Sequence, residues 1–398
     1  MKFFVCILLL ASSVCSYRLA PNQIKFSSIR KYSTYIRLNS NDDNNYNYNK
    51  NQIIQAVSNN NKAVDLSLLD NNAQTDNVVL DPKAAEQNLY SVLASATLSD
   101  NNKVLNFGPN SFKLKSIYIH PSWPLLYERI KHNLHEYEFD RILITGSPGI
   151  GKSMFSYYYM WRAITQENVT SFLYQTQVEV DVVRHYSATS VSLYNSKNIF
   201  DCPTGLPFFA DIVPPPEPYS YAEPALKPVR WSAYTIIFSS PDKRRYKELM
   251  KDMDSVQYIL EPWTEEEIFE AWRLVPSFNQ VPKDIVSAQY AIYGGVPRFV
   301  FDRAAEGEGP MRHALSVKGE EAAQNMFTIH TRVDNGDREM QTLFQMRTKP
   351  PSSATIQLAD FEIFVPASPF VVREVSLAYP DIMMGRFWEA MRHKPAGV

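Results

Sequence analysis

Eight consecutive residues, Gly146-Ser147-Pro148-Gly149-Ile150-Gly151-Lys152-Ser153, gather the groups that hold a polyphosphate. Glycines at three of the positions let the backbone take unusual dihedrals and come close to a charged ligand. Successive N–H groups leading into a helix N-terminus present positive partial charge to an anion. At these positions Lys152 would bring a full charge to β- and γ-phosphates, and the Ser153 hydroxyl would ligate a magnesium ion. Met154 follows directly and opens the next segment.

The pattern G-x-x-x-x-G-K-S means this only between a strand and a helix. Arg141 to Thr145 is an apolar run of strand length, and Met154 to Ile164 is rich in Met, Tyr, Phe and Trp with no Gly or Pro. Both requirements are met, so the stretch reads as a nucleotide-binding P-loop.

Such a loop needs a carboxylate at the end of a neighbouring strand to complete the Mg²⁺ shell. Asp201 ends the short step Asn198-Ile199-Phe200, and Asp211 ends the longer Leu206 to Ala210. The longer strand favours Asp211. Ser239 and Ser240 close the buried-strand pattern Tyr234 to Phe238, where a polar group could sense a γ-phosphate. Arg298, in Gly294-Gly295-Val296-Pro297-Arg298, either stabilises a transferring phosphoryl group or is a solvated arginine in a helix C-cap.

Other chemistry-bearing residues read more simply. His132 and His135 lie three apart on a helix expected from Trp123 to Tyr137, whose apolar face is Leu126, Ile130 and Leu134. No further His or Cys joins them as a metal set. Glu265, Glu266 and Glu267 sit in the first turn of a helix, where they complement the macrodipole, and Thr264 with Glu267 forms a capping box. Cys202 is expected as a structural thiol.

The elements around the loop alternate. Strands are expected at Ser116 to Ile119, Val191 to Tyr194, Phe208 to Val213 and Tyr258 to Leu260. Thr170 to Val183 reads as one β segment with Phe172, Tyr174, Val178, Val180 and Val182 on a single face. A helix is expected from Pro282 to Tyr293, and Pro214 to Pro228 is irregular. The fold class is α/β: a mostly parallel sheet with helices on both faces. A small C-terminal α+β lobe is expected over 304–398, with a helical piece at Ala314 to Phe327 and a strand at Phe361 to Val365.

The remaining bounds come from composition. With 398 residues, 45% hydrophobic and 21% charged, the chain can bury a sizeable core, and its net charge of −2 gives no global reason to expect nucleic acid or an anionic membrane as a partner. Residues 1–16 read as a secretory signal peptide, with Lys2 before the apolar Phe3 to Ala11. No later stretch has the roughly 20 apolar residues of a spanning helix. Of three cysteines, Cys6 and Cys15 would leave with the signal, so no internal disulfide is expected. Residues 17–110 read as a basic leader and an Asn-rich disordered spacer, with one possible helix at Ala84 to Ala96. The acid-poor stretch behind the signal suits three destinations: a bipartite presequence for a complex plastid, a secreted effector leader, or a plain basic tail.

The motifs together carry a resemblance. The P-loop from Gly146 to Met154 resembles that of the retrotransposon hot spot proteins of trypanosomes and of Crinkler-type secreted effectors. Those families continue with a strand ending in Asp, as at Phe208 to Asp211, and a Ser-Ser-Pro strand end, as at Ser239 to Pro241. A Pro-Trp-Thr helix start and a Gly-Gly-x-Pro-Arg element follow, as at Pro262 to Thr264 and Gly294 to Phe301. The resemblance spans about residues 140 to 303 and implies an ATPase of the additional-strand, STAND-like group, within an NTPase domain at 111–303. It implies ATP and Mg²⁺ as ligands, with Lys152, Asp211 and Arg298 acting on them and a protein partner or self-association reading the outcome.

Three departures stand out. The proline-rich insertion lengthens the gap after Asp211, no carboxylate follows Asp211 directly, and the effector leader of Leu-Phe-Leu-Ala-Lys type is absent. No Glu-x-Lys nuclease signature flanks the domain. A kinase would need an acceptor pocket and base that the residues do not identify. A GTPase would need an Asn-Lys-x-Asp motif, whereas Asn61-Lys62-Ala63-Val64-Asp65 has the wrong spacing.

Overall fold

The protein is described by a computed structural model over residues 88–108, 115–136, 140–176, 182–195, 202–212, 233–241, 255–327, 337–348 and 362–392. Residues 1–87, holding the expected signal peptide, basic leader and most of the spacer, lie outside the described residues, as do Val178, Val180, Asp201 and the proline-rich segment 214–228.

The P-loop strand β4 (Arg141–Gly146) is buried along its whole length, which is why its sequence is a continuous apolar run rather than an alternating one. It pairs in parallel with β10 (Ser255–Leu260) on one side and β9 (Tyr234–Ser239) on the other. Beyond β9 come β8 (Pro207–Ile212) and β5 (Ser171–Thr176), also parallel. Two antiparallel strands, β6 (Val182–Ser187) and β7 (Val191–Asn195), complete a seven-stranded sheet of order β10-β4-β9-β8-β5-β6-β7. The mostly parallel α/β class read from the sequence is the class found.

The single β segment expected from Thr170 to Val183 is two strands. Phe172 and Tyr174 are buried as expected, but on β6 the buried residues are Val183 and Tyr186, with Val182 half-buried. The chain reverses between β5 and β6 and pairs antiparallel, and a period of two does not carry across a reversal.

Alternate residues of the central strands divide between two clusters. Ile142, Ile144, Phe209, Ile236 and Phe238 enter the main core, while Leu143, Phe208, Ala210 and Ile237 meet Cys202 on the other face. Among the described residues, no helix enters that second cluster. Helix α3 (Lys152–Glu167) packs its aromatic side on the main core. Phe155 meets Phe238 at 6.2 Å and Tyr159 meets Phe209 at 5.9 Å. Helix α2 (Ser122–Glu136) covers α3 through Trp123 on Phe155 at 5.5 Å and Tyr127 on Tyr159 at 4.8 Å. Such pairs add about 0.5–1.5 kcal/mol each beyond area burial. His132 and His135 are exposed on α2, as solvated residues.

Residues 88–106, placed in the spacer by the sequence, belong to the main core. Helix α1 (Leu89–Ala94) and the antiparallel strands β1 (Thr97–Leu98), β2 (Val104–Asn106) and β3 (Ser116–Tyr118) bury Leu89, Leu93, Val104 and Leu105 there. Their apolar residues are few and flanked by Asn, so the pattern resembles the tract before it.

Helix α4 (Glu265–Leu274) begins with the expected capping box, Glu267 N–H to Thr264 Oγ1 at 3.3 Å and Thr264 N–H to Glu267 Oε2 at 2.6 Å. Helix α5 (Lys283–Tyr293) leads to Gly294-Gly295 and a π-helical turn at Arg298–Asp302. The C-terminal lobe follows, with α6 (Gly309–Asn325), α7 (Arg338–Leu343), the hairpin strands β11 (Phe344–Thr348) and β12 (Glu362–Pro366), α8 (Pro369–Ala378) and α9 (Pro380–Arg392). Its separate core holds Met311, Met340, Leu343, Phe344, Val371 and Val375, joined by Ile292 and Tyr293 of α5.

Two motifs distant in sequence meet tightly. Trp263 N–H donates to the Gly295 carbonyl at 2.8 Å, and a Cβ at Gly295 would stand 1.8 Å from the Trp263 carbonyl oxygen. Overpacking of this kind costs about 1–3 kcal/mol or more. Gly295→Ala is expected to lower folding stability by at least about 2 kcal/mol in urea titration. A wild-type midpoint would show that the turn relaxes freely.

Candidate functional site

At the C-terminal end of β4 the loop wraps an anion-sized cradle. Gly149 has φ +83° and Gly151 φ +105°, so both adopt the left-handed region open to glycine. At Gly149 space is short as well, since an added Cβ would stand 2.7 Å from the Arg298 Cβ. Helix α3 starts at Lys152, directly after Gly151. The Lys152 ammonium donates to the Gly146 carbonyl at 2.8 Å and the Ser147 carbonyl at 2.9 Å. Pro148, Gly149, Gly151, Lys152, Ser153 and Met154 line one cavity of about 580 Å³. Ile150 instead turns into the main core, and the Ser147 hydroxyl accepts the Met346 N–H of β11 at 2.9 Å.

Asp211 lines the same cavity from β8. Ser153, on a separate element, lines the cavity with it and favours its charged form. Burial raises the Asp211 carboxyl above its ordinary range, while Ser153, Lys152 and Arg298 oppose that shift. Burial together with Arg298 lowers Lys152 to about 7, with Asp211 opposing. Each group therefore depends on the other to stay charged.

At the end of β9, the Ser239 hydroxyl donates to the Ser240 carbonyl at 3.0 Å. The Ser240 hydroxyl is buried, lines the cavity and has no partner among the described residues. Of the pair considered from the sequence, Ser240 is the one turned to the site. Arg298 also lines the cavity and donates its backbone N–H to the Gly149 carbonyl at 3.3 Å. The residue is exposed, as in the solvated alternative, while its backbone is docked on the P-loop.

The sequence did not reveal the walls. Tyr118, Trp123, Trp263 and Phe278 form an aromatic side. The indoles of Trp123 and Trp263 come within 3.7 and 4.0 Å of where a Gly151 Cβ would be. These residues come from four elements with no shared spacing, so no linear signal links them. The C-terminal lobe adds Arg338, Gln341, Thr342 and Gln345. Asp211 and Asp302 are the only carboxylates among the described lining residues.

The strand order decides the architecture. The P-loop strand β4 and the carboxylate strand β8 are separated by β9, so an additional strand lies between cradle and carboxylate. The fold is that of a P-loop NTPase.

No protein-family model matches the sequence, and no curated protein matches it. Among solved structures, the RuvB Holliday junction branch migration motor of Thermotoga maritima is similar at 14% identity, with a TM-score of 0.29. The match covers 49% of this chain, which spans 61% of the length of that one. The fold assignment rests on the loop and the strand order. Among the described residues, no helix is long and apolar enough to cross a membrane, and no group of three potential metal ligands is present.

The lowered Lys152 has a consequence for stability. Its proton is held less tightly in the folded chain than in the unfolded one, so the fold is penalised while the lysine is charged. The penalty is complete below about pH 7 and is relieved as pH rises toward the ordinary lysine value of 10.5. The urea midpoint of the wild type should therefore climb between pH 7 and pH 9.5 relative to Lys152→Met. Parallel midpoints across that window would refute the lowered value.

Proposed function

We propose that the protein binds Mg·ATP in this cavity and hydrolyses it slowly, as a conformational switch read by a protein partner or a second copy. The observation that carries the reading is the convergence of Lys152, Ser153, Asp211 and Arg298, from the P-loop, β8 and the turn after α5, on the lining of one cavity. A hydroxyl and a carboxylate that line one cavity beside a P-loop lysine match a magnesium site. The ion, when bound, supplies neutralising charge between the β- and γ-phosphate oxygens.

The chain's own residues do the rest. Loop N–H groups from Gly149 onward, Gly151 and the start of α3 among them, receive the phosphates. Lys152 exchanges its carbonyl partners for phosphate oxygens and regains its proton. Arg298 offers charge to the terminal phosphoryl, and the unpartnered Ser240 hydroxyl offers a hydrogen bond there. The aromatic wall of Tyr118, Trp123, Trp263 and Phe278 suits a purine face.

The resemblance to retrotransposon hot spot and Crinkler-type proteins supports the same reading. Its Asp, Ser-Ser-Pro, Pro-Trp-Thr and Gly-Gly-x-Pro-Arg elements all contribute to the cavity wall. Slow turnover follows from Asp211 being followed by Ile212, which leaves no adjacent carboxylate to orient water. That favours a switch over a fast motor, with entry to the secretory pathway by the signal peptide at residues 1–16.

Phosphate release and ATP affinity of the full chain test the roles. Lys152→Ala should weaken ATP binding about tenfold or more, the scale of a lost charge-assisted contact. Asp211→Asn should retain affinity within about threefold while losing most Mg²⁺-dependent release. Equal activity in wild type and Asp211→Asn would remove Asp211 from the site.

A further inference from the structure

The lobe turns a polar stripe toward the P-loop. Residues 338, 341 and 342 lie at i, i+3 and i+4 on α7 and so share one face, and Gln345 follows on β11. Arg338, Gln341, Thr342 and Gln345 all line the nucleotide cavity, while Met340 and Leu343 are buried in the lobe core. The stripe is held in place. Gln345 Nε2 donates to the Tyr293 carbonyl at 2.6 Å, and the next residue, Met346, donates its N–H to Ser147 Oγ of the P-loop at 2.9 Å. Thr342 Oγ1 donates to the Arg338 carbonyl at 2.9 Å.

Arg338 differs from its neighbours. Its side chain is exposed on the cavity wall and has no hydrogen bond or ion pair among the described residues. The flanking carboxylates are engaged elsewhere, Asp337 with Lys318 at 2.7 Å and Glu339 facing His313 at 4.0 Å. A planar guanidinium with unmatched donors, on the lining of the cavity that the P-loop also lines, is complementary to phosphate oxygens.

We propose that Arg338 is a nucleotide-contacting residue, its guanidinium binding phosphate oxygens of the nucleotide from the C-terminal lobe. The proposal rests on the P-loop reading of the cavity. Its consequence is that nucleotide ties the lobe to the P-loop more firmly than the Ser147–Met346 contact does alone.

The test uses the full chain, with ATP as the probe and equilibrium affinity and the urea midpoint as readouts. Arg338→Ala is expected to weaken ATP binding about tenfold, and Arg338→Lys to fall between it and wild type. Both variants should keep the wild-type urea midpoint, because the side chain holds nothing in the free protein. Arg386→Ala, which removes an exposed arginine from α9, should bind ATP as wild type does. Unchanged ATP affinity in Arg338→Ala overturns the proposal. So does a lowered urea midpoint that accounts for the loss, or a lysine that recovers nothing. Lys152→Ala separates the two levels. If it binds ATP as tightly as wild type, or wild type does not bind, the P-loop reading itself fails. If only the Arg338 variants are silent, the cavity stands and the lobe arginine is excluded.

Discussion

The Lys152 ammonium is held by two carbonyls of its own loop, at 2.8 and 2.9 Å, with Asp211 attracting it and Arg298 repelling it. Those four groups belong to the P-loop, β8 and the turn after α5, so their balance depends on each element ending at the same edge of the sheet. Parallel pairing arranges that. Asp211 is level with Phe238 of β9, and β9 is in turn registered on β4. The aromatic layer between sheet and α3 then fixes where the loop can lie. A cation desolvated beside another cation costs free energy, and a polyphosphate would offset that cost by supplying the missing counter-charge.

Around this centre the structure is built by close contacts between segments far apart in sequence. Gly295 gives its space to the Trp263 backbone, and Gly149 gives its space to Arg298. Ser147 is shared between the cradle and β11 of the lobe. The P-loop is therefore touched from both the α5 turn and the C-terminal lobe, and a change in its conformation has two direct outlets.

Much of this was legible in the sequence because it is local. The P-loop, the capping box at Thr264 and the buried run of β9 each carry their signal within a few residues. Asp211 was readable as the end of an apolar strand. The resemblance suggested Arg298, but composition alone left it open, since docking on Gly149 is a contact across 149 residues that no spacing encodes. The aromatic wall was invisible for the same reason. The β5–β6 reversal was missed because alternation on either side of it looks continuous. Within 88–106 the sequence offered a helix at Ala84 to Ala96, which holds α1, but strands β1 and β2 were missed because a short sheet needs few apolar positions when a larger core covers them.

The most direct measurement is calorimetric titration of ATP with Mg²⁺ into the full chain at pH 8, in two buffers of different ionisation enthalpy. Lys152, lowered to about 7, is mostly neutral there and should regain a proton as phosphate replaces its carbonyl partners. Saturable one-site binding, with proton uptake approaching one in wild type and absent in Lys152→Met, is the expected result. Binding with no difference in proton uptake between the two would contradict a phosphate-binding role for Lys152, and no binding at all would contradict the nucleotide site.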